Sequence, residues 1–270
     1  MEGKFVVYDS QGELNLRQIA DSGQCFRLKE YDADKFIAVT GSHAVDIHRR
    51  GDVYIFWCDT NEFQEVWTPY FDLDTDYRTF KAQMQDDPFL QEALNSGGGI
   101  RILRQDLWET AVTFTISQRN NIPRIAKSVE TLCSNFGTPL KEIGGQQVYA
   151  FPTPDQLLWP DLSAAALGYR EPYIKELCRK GDDVWQSLPN LSDAQAKKTL
   201  IAMKGIGEKV ANCIMLFGLH RMDSYPRDVW VNRLIDDVYH GDFDPGKYAG
   251  FAGYVQQLQF YHYRNKTFSF

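Results

Sequence analysis

Residues Leu200–Arg233 read LIAMKGIGEKVANCIMLFGLHRMDSYPRDVWVNR. Gly205 and Gly207 flank Ile206 and allow positive φ and close backbone approach. The segment after them, Lys209 to Leu219, carries good helix formers with apolar Val210, Ile214 and Phe217 on one side. This is a hairpin between two helices, and its backbone N–H groups form a helix N-terminus that attracts phosphate. Asp228 follows Pro226 and precedes Val-Trp-Val-Asn-Arg-Leu-Ile. It occupies an N-cap position, where backbone donors hold a carboxylate and favour its ionised form. Lys209 and Asp228 stand 19 positions apart. They begin two different helices and are close enough along the chain to meet. An amine beside a fixed carboxylate suits attack on an electrophilic carbon, for which the amine must be neutral. The plainer readings are a solvated or phosphate-contacting helix lysine and an ordinary helix cap.

Upstream, residues 4 to about 60 alternate apolar and polar in the runs KFVVYD, CFRLKEY, KFIAVTG, HAVDIHRRG and DVYIFWC. That period predicts short strands with turns between them. From about 62 the period becomes helical. Helices are predicted near 76–87, 106–118, 122–137, 171–181, 193–203, 208–219, 228–239 and 246–263. Strands first and helices later give an α+β chain, a small twisted antiparallel sheet followed by a mostly helical part. The Ser96-Gly97-Gly98-Gly99 stretch is the expected junction. It divides the chain into 1–98, a sheet domain with flanking helices, and 99–270, a helical domain with its hairpin at 200–219.

At 270 residues the chain can bury a large core. No signal peptide and no membrane-length apolar run is visible. Cys25, Cys58, Cys133, Cys178 and Cys213 are odd in number and scattered, which fits a reduced cytosolic setting best, and the absence of a CxxC pair argues against a zinc ribbon. The net charge of −7 opposes nucleic-acid binding in bulk. A local basic face with backbone amides suffices for a short stretch of DNA, and salt-sensitive non-specific binding is then expected. Asp72-Leu-Asp74-Thr-Asp76 begins like a calcium loop. Tyr77 replaces its glycine and Gln83 its bidentate glutamate, so a helix-start cluster is expected. The five histidines show no metal spacing.

These residues resemble the helix-hairpin-helix DNA glycosylases, and Lys209 resembles their bifunctional branches. Ser22-Gly23-Gln24-Cys25-Phe26-Arg27 is similar to the SGQxFR signature of the 8-oxoguanine DNA glycosylase family. Ile102–Asp106 (ILRQD), Ile116–Ile125 (ISQRNNIPRI), Leu167-Gly168-Tyr169-Arg170, and Ala252–Gln256 (AGYVQ) with Phe260 follow in the family's order. The chain thus looks like a bacterial 8-oxoguanine DNA glycosylase and AP lyase. The resemblance implies that Lys209 attacks C1′ of an extruded nucleoside while Asp228 stabilises the positive charge there. It implies a base pocket in which the Gly23 carbonyl accepts from N7–H, Phe260 stacks on one face, Cys213 covers the other, Gln256 bonds the Watson–Crick edge and Phe217 lies beside them. It implies that Asn120 and Asn121 fill the vacated space, Tyr169 wedges into the stack, Arg170 and Arg124 read the opposite cytosine, and Gly205 and Gly207 grip phosphate. By the same resemblance, the carbonyls of Ile201, Met203 and Ile206 can hold a structural monovalent or divalent cation. No cofactor is required, and no iron–sulfur cluster is expected because the four-cysteine cluster of the endonuclease III branch is absent.

Two departures stand out. Arg119 occupies the first place of the family's commonest asparagine triple, and Trp230 stands where the animal enzymes carry histidine. The expected partner is double-stranded DNA with 8-oxoguanine opposite cytosine. No membrane is involved, and the chain is expected to act as a monomer in the bacterial cytoplasm at the nucleoid. Two alternatives remain. A monofunctional alkylbase glycosylase usually lacks the lysine, and a non-catalytic hairpin module needs neither Asp228 nor an aromatic pocket.

Overall fold

The computed structural model describes residues 4–268. The five alternating runs form five strands: β1 (Val6–Asp9), β2 (Leu28–Asp32), β3 (Lys35–Thr40), β4 (His43–Arg50) and β5 (Val53–Phe56). They make one antiparallel sheet in the order β1-β5-β4-β3-β2. One face buries Phe36, Val45, Ile47 and Phe56. Against it lie α1 (Leu16–Asp21) and a helical run made of α2 (Thr60–Glu62), a π-helical turn (Phe63–Trp67) and α3 (Thr68–Tyr70). The other face carries Ile37, Val39 and Ala44, which pack on Ile143 and Val148.

Those two residues belong to a hairpin that the sequence reading leaves out, β6 (Pro139–Ile143) and β7 (Gln146–Tyr149). Its turn is Gly144-Gly145, both at positive φ, the two-glycine signal of a tight hairpin. A Cβ at Gly144 would meet the Tyr31 ring at 2.3 Å, so the turn is also pressed onto the sheet.

The helical half keeps the eight predicted helices in order and adds three that the sequence reading leaves out, at Pro88–Gly97, Pro154–Leu158 and Asp182–Ser187. It comprises α4 (Tyr77–Ala82), α5 (Pro88–Gly97), α6 (Leu107–Ile116), α7 (Ile122–Phe136), α8 (Pro154–Leu158), α9 (Glu171–Cys178), α10 (Asp182–Ser187), α11 (Asp193–Ile201), α12 (Glu208–Cys213), α13 (Val229–Tyr239) and α14 (Ala252–Phe268). The helix predicted over 76–87 is shorter. Asp87 instead caps a new helix, α5, with Pro88 at its first turn. The helix predicted from 246 begins at Ala252, because Pro245–Tyr248 forms a 3₁₀ turn and Gly250 takes φ +88°. The helix predicted over 208–219 is α12 continued by a π-helical turn, Ile214–Gly218. Side-chain oxygens cap α4, α5, α6, α7, α11 and α13 at Asp76, Asp87, Asp106, Asn121, Ser192 and Asp228.

Helix α14 runs through the middle of the largest core, with Phe251–Gln259 buried. Its buried polar groups are mostly tied. Gln257 Nε2 donates to Ser22 O at 2.7 Å, and Gln259 bridges the hydroxyls of Tyr225 and Tyr239. Among the described residues no helix is long and apolar enough to cross a membrane.

In the Asp72–Asp76 cluster, Asp76 caps α4 as expected of a helix start. Asp72 is instead a buried hub. Its carboxylate accepts from Thr75 Oγ1, Tyr77 Oη and the Arg104 guanidinium, with His220 Nε2 at 3.5 Å. Burial alone would raise its pKa. The hydrogen bond and charge of His220, then those of Arg104, outweigh burial and hold it at about 2. A carboxyl depressed in the folded state stabilises the fold above its unfolded value, near 3.8, and loses that contribution as pH falls towards about 2. Replacing Asp72 by asparagine should remove about 2 kcal/mol of this pH-dependent stability. Urea melts of both proteins between pH 6 and 2 check this. Parallel stability–pH curves would mean that Asp72 contributes nothing in this window.

Candidate active site

A cavity of about 570 Å³ opens where the sheet half meets the helical half. Its walls come from five separated segments: the turn after α1, the end of α6 with the start of α7, α12 with its π turn, the cap of α13, and α14. Of the residues the sequence singles out, Gly23, Asn120, Asn121, Lys209, Cys213, Phe217, Asp228, Gln256 and Phe260 all line it.

Lys209 lies in the first turn of α12, just beyond the hairpin. Its Nζ donates to Ser117 Oγ at 3.2 Å and lies 5.3 Å from the centroid of the Phe114 ring. Ser117 spends its own proton on the Phe114 carbonyl at 2.7 Å, so its lone pairs face the amine. Phe114 in turn stacks on Phe217, with centroids 5.3 Å apart and planes 15° from parallel. Asp228 caps α13, and its Oδ1 accepts from the N–H groups of Trp230 and Val231, both at 2.9 Å. The cap fixes the carboxylate where α13 meets the cavity. Cys213 is one turn beyond Lys209 on the same face. Burial pushes its thiol up to about 11 against the pull of Lys209, so near pH 7 it is an uncharged, polarisable surface.

On the facing side, Gly23 takes φ +76°. A Cβ there would meet Ile122 Cδ1 at 3.0 Å and Phe260 Cε1 at 3.5 Å. Gln256 is buried, and its Oε1 has no partner among the described residues. Gly23→Ala is therefore expected to cost about 1–3 kcal/mol of stability through its left-handed backbone and to narrow the cavity. Chemical denaturation and a turnover assay on the same protein check this. Unchanged stability and turnover would show that the wall yields freely.

The asparagines are committed to the backbone. Asn121 caps α7 through the Arg124 N–H, and Asn120 bonds Ile116 O and the Asn121 N–H. The structure does not bring Arg124, Tyr169 or Arg170 to the cavity. Arg124 is exposed on the first turn of α7. Tyr169 is 49% exposed, and its hydroxyl donates to Gln118 O at 3.1 Å. Arg170 is buried, with its guanidinium spent on the carbonyls of Gln118, Arg119 and Leu167.

Gln118, which the sequence reading leaves without a role, joins these parts. Its carbonyl receives Tyr169 and Arg170, and its Nε2 donates to Gly205 O in the hairpin at 2.8 Å. In that hairpin only Gly205 uses positive φ, at +91°, with the Tyr173 ring where a Cβ would be. Gly207 has φ −93° and open space around it, so it keeps the close approach that a glycine allows without using positive φ. Ile201, Met203 and Ile206 lie on the same turn. The Met203 carbonyl accepts the Ile206 N–H at 3.1 Å. Among the described residues no His, Cys, Asp or Glu cluster could hold a metal ion.

Ser117, Phe114, Trp230 and Arg264 also line the site. Ser117 stands inside the ISQRNN motif and Arg264 one turn beyond Phe260, and those positions are the only sequence signals for them.

Comparison with known proteins agrees with this arrangement. The family model for the 8-oxoguanine DNA glycosylase N-terminal domain matches residues 6–111. The N-glycosylase/DNA lyase of Saccharomyces cerevisiae is 30% identical over 88% of this chain and 71% of its own length. Among solved structures, MBOgg1 in complex with a low-affinity DNA ligand superposes with a TM-score of 0.92 at 33% identity, covering 99% of this chain and 98% of that one. The Clostridium acetobutylicum 8-oxoguanine glycosylase/lyase, bound to double-stranded DNA with cytosine opposite 8-oxoguanine, gives 0.85 at 31% identity, covering 94% and 93%.

Proposed function

The chain belongs to the 8-oxoguanine DNA glycosylase family of N-glycosylase/DNA lyases, and from that premise we propose that it excises 8-oxoguanine from duplex DNA, preferably opposite cytosine, and then cleaves the strand. The observation that carries this reading is the meeting of Lys209, Asp228, Gly23, Gln256 and Phe260 around one cavity large enough for an extruded nucleoside.

In the first step the Lys209 amine forms a bond to C1′ as the glycosidic bond breaks and the base leaves with the electron pair and takes up a proton. Asp228 faces the positive charge that develops at C1′. The sugar ring opens to an imine on Lys209. That imine acidifies C2′, whose proton is lost as the 3′ phosphate oxygen departs, and water then releases the lysine. Ser117 orients the amine through its hydroxyl. The stacked pair Phe114–Phe217 and the neutral thiol of Cys213 keep the surroundings apolar. The base lies on Phe260 with its Watson–Crick edge at Gln256 and its N7–H at the Gly23 carbonyl. The unpartnered Gln256 Oε1 and the positive φ of Gly23 support that assignment.

Asn120, Asn121, Arg124, Tyr169 and Arg170 form the face towards the rest of the duplex in this reading. Arg170 must then exchange its carbonyl partners for the acceptors of the opposite base. The hairpin at Gly205 and Gly207 meets the backbone phosphate, where the open space at Gly207 lets it approach. The carbonyls of Ile201, Met203 and Ile206 would hold a structural cation there, which screens that phosphate. The enzyme acts as a monomer in the cytoplasm at the nucleoid, a setting supported by five free, buried cysteines.

Borohydride trapping on a duplex carrying 8-oxoguanine opposite cytosine tests the whole reading. A covalent complex and a cut strand are expected. Release of the base without a trapped complex would exclude the lysine mechanism.

A further inference from the structure

Two arginines gather at the start of α13, beside the cavity. Arg233 lies one turn after Trp230, which lines the cavity, and its guanidinium carbon is 5.7 Å from the centre of the Trp230 ring. Helical side chains lean towards the N-terminus, so this placement carries the charge back towards Asp228 and the cavity rim. Arg227 immediately precedes Asp228, and its Nε donates to Asn232 Oδ1 at 3.0 Å. Both arginines are exposed. Among the described residues neither forms an ion pair, in a chain with 36 Asp and Glu for 29 Lys and Arg. Asp237 stands four residues after Arg233, where an ion pair would form on a helix, but its carboxylate accepts from the Tyr263 hydroxyl instead.

Two cations at this end of α13 face the positive end of the helix dipole, an arrangement that an anion completes. A nucleoside extruded into the cavity stays joined to the duplex by a phosphodiester on each side of its sugar. The hairpin before Lys209 serves one of them. That hairpin is tied to α6 through Gln118 and to α9 through Tyr173. Trp230 instead meets Tyr263 on α14 edge-on, with centroids 6.5 Å apart. The two features therefore belong to different walls. Trp230 stands where the animal enzymes carry histidine and brings no charge to its wall, whereas Arg233 does. We propose that Arg233, steadied on Trp230 and flanked by Arg227, binds the phosphodiester on the side of the extruded nucleoside away from the hairpin. The inference rests on the pocket assignment given under Proposed function.

The chemistry suits that ligand. A guanidinium presents forked donors that match two phosphate oxygens. The indole face holds the fork in place before DNA arrives, so less side-chain freedom is lost on binding. A phosphate contact of this kind sets affinity and register and reads no base. Neutralising one phosphate contributes about 0.9 to the slope of log affinity against log salt. The sequence requires a local basic face on an acidic chain, and these two arginines supply one beside the reacting sugar.

The test uses Arg233→Gln, which keeps a stem over Trp230 and removes the charge, with Arg233→Lys as the conservative partner. Arg50 is exposed at the end of β4, and Arg50→Gln serves as a control of equal charge change. All three are made in the whole protein carrying Lys209→Gln, so that binding to a duplex with 8-oxoguanine opposite cytosine is read without turnover. Affinity is measured between about 50 and 200 mM salt. It is measured again with each phosphate flanking the lesion replaced singly by an uncharged methylphosphonate. Arg233→Gln is expected to bind about three- to tenfold more weakly at low salt and to lower the salt slope by about 0.9. One of the two methylphosphonates should weaken the parent protein by a similar factor and Arg233→Gln no further, and the other should weaken both alike. Arg233→Lys should keep the slope and recover part of the affinity. Arg50→Gln should alter neither the slope nor this pattern. Losses that add at both phosphates, or a slope no different from that of Arg50→Gln, would overturn the proposal. A wild-type protein that gives no borohydride-trapped complex while the phosphate pattern holds would remove the chemistry under Proposed function and leave this contact standing.

Discussion

Replacing Lys209 by glutamine is expected to abolish base release and borohydride trapping, by roughly a thousandfold or more, while leaving DNA affinity within a few-fold of wild type. The amine is the only part of Lys209 that the proposed chemistry uses. Glutamine keeps a donor that can reach Ser117 Oγ and most of the stem over Phe114, so the packing at the start of α12 should persist. The surfaces assigned to DNA contact lie elsewhere, on the hairpin, the Asn120–Asn121 turn and the Tyr169 loop. Single-turnover kinetics and a binding titration on the same duplex separate the two effects. Base release at the wild-type rate would end the covalent mechanism.

Asp228→Asn should slow base release by about 10²- to 10⁴-fold, equivalent to roughly 3–5 kcal/mol of barrier, and leave the melting temperature nearly unchanged. Both Trp230 and Val231 donate to Oδ1, an atom that asparagine retains as its carbonyl oxygen. Asparagine is as good an N-cap as aspartate, so the fold loses only tenths of a kcal/mol while the cavity loses its negative charge. Asp228→Ala supplies the contrast, because it should add about 1 kcal/mol of instability to the same kinetic loss. A large fall in melting temperature with normal turnover for Asp228→Asn would make this residue a structural cap alone.

The parts of the site that the sequence reveals are those set by local rules. Pro226 followed by Asp228 and an apolar helical run announces a cap, and the cap is there. Five alternating runs announce five strands, and the register of each follows from its buried face. The parts it conceals depend on which elements approach one another. Nothing in Ile116-Ser117-Gln118 says that one side chain will meet Lys209 and the next will reach the hairpin carbonyl. That follows from how α6 packs against α12. Gly207 looks like a turn glycine and uses ordinary backbone angles, because Gly205 alone turns the chain against Tyr173. The Gly144-Gly145 signal was present but lay within a stretch whose helical surroundings masked it.

The cavity is closed by two parts of the chain that lie far apart in order of synthesis. Gln257 holds Ser22 across 235 positions and Arg264 holds Asp21 across 243. The hairpin and its lysine leave the ribosome well before Phe260 does, yet the core that seats them needs α14. A nascent or clipped chain without that helix therefore carries the nucleophile and has no seat for a base. The ability to cut and the ability to recognise therefore depend on the same helix, and neither is assembled until α14 is in place.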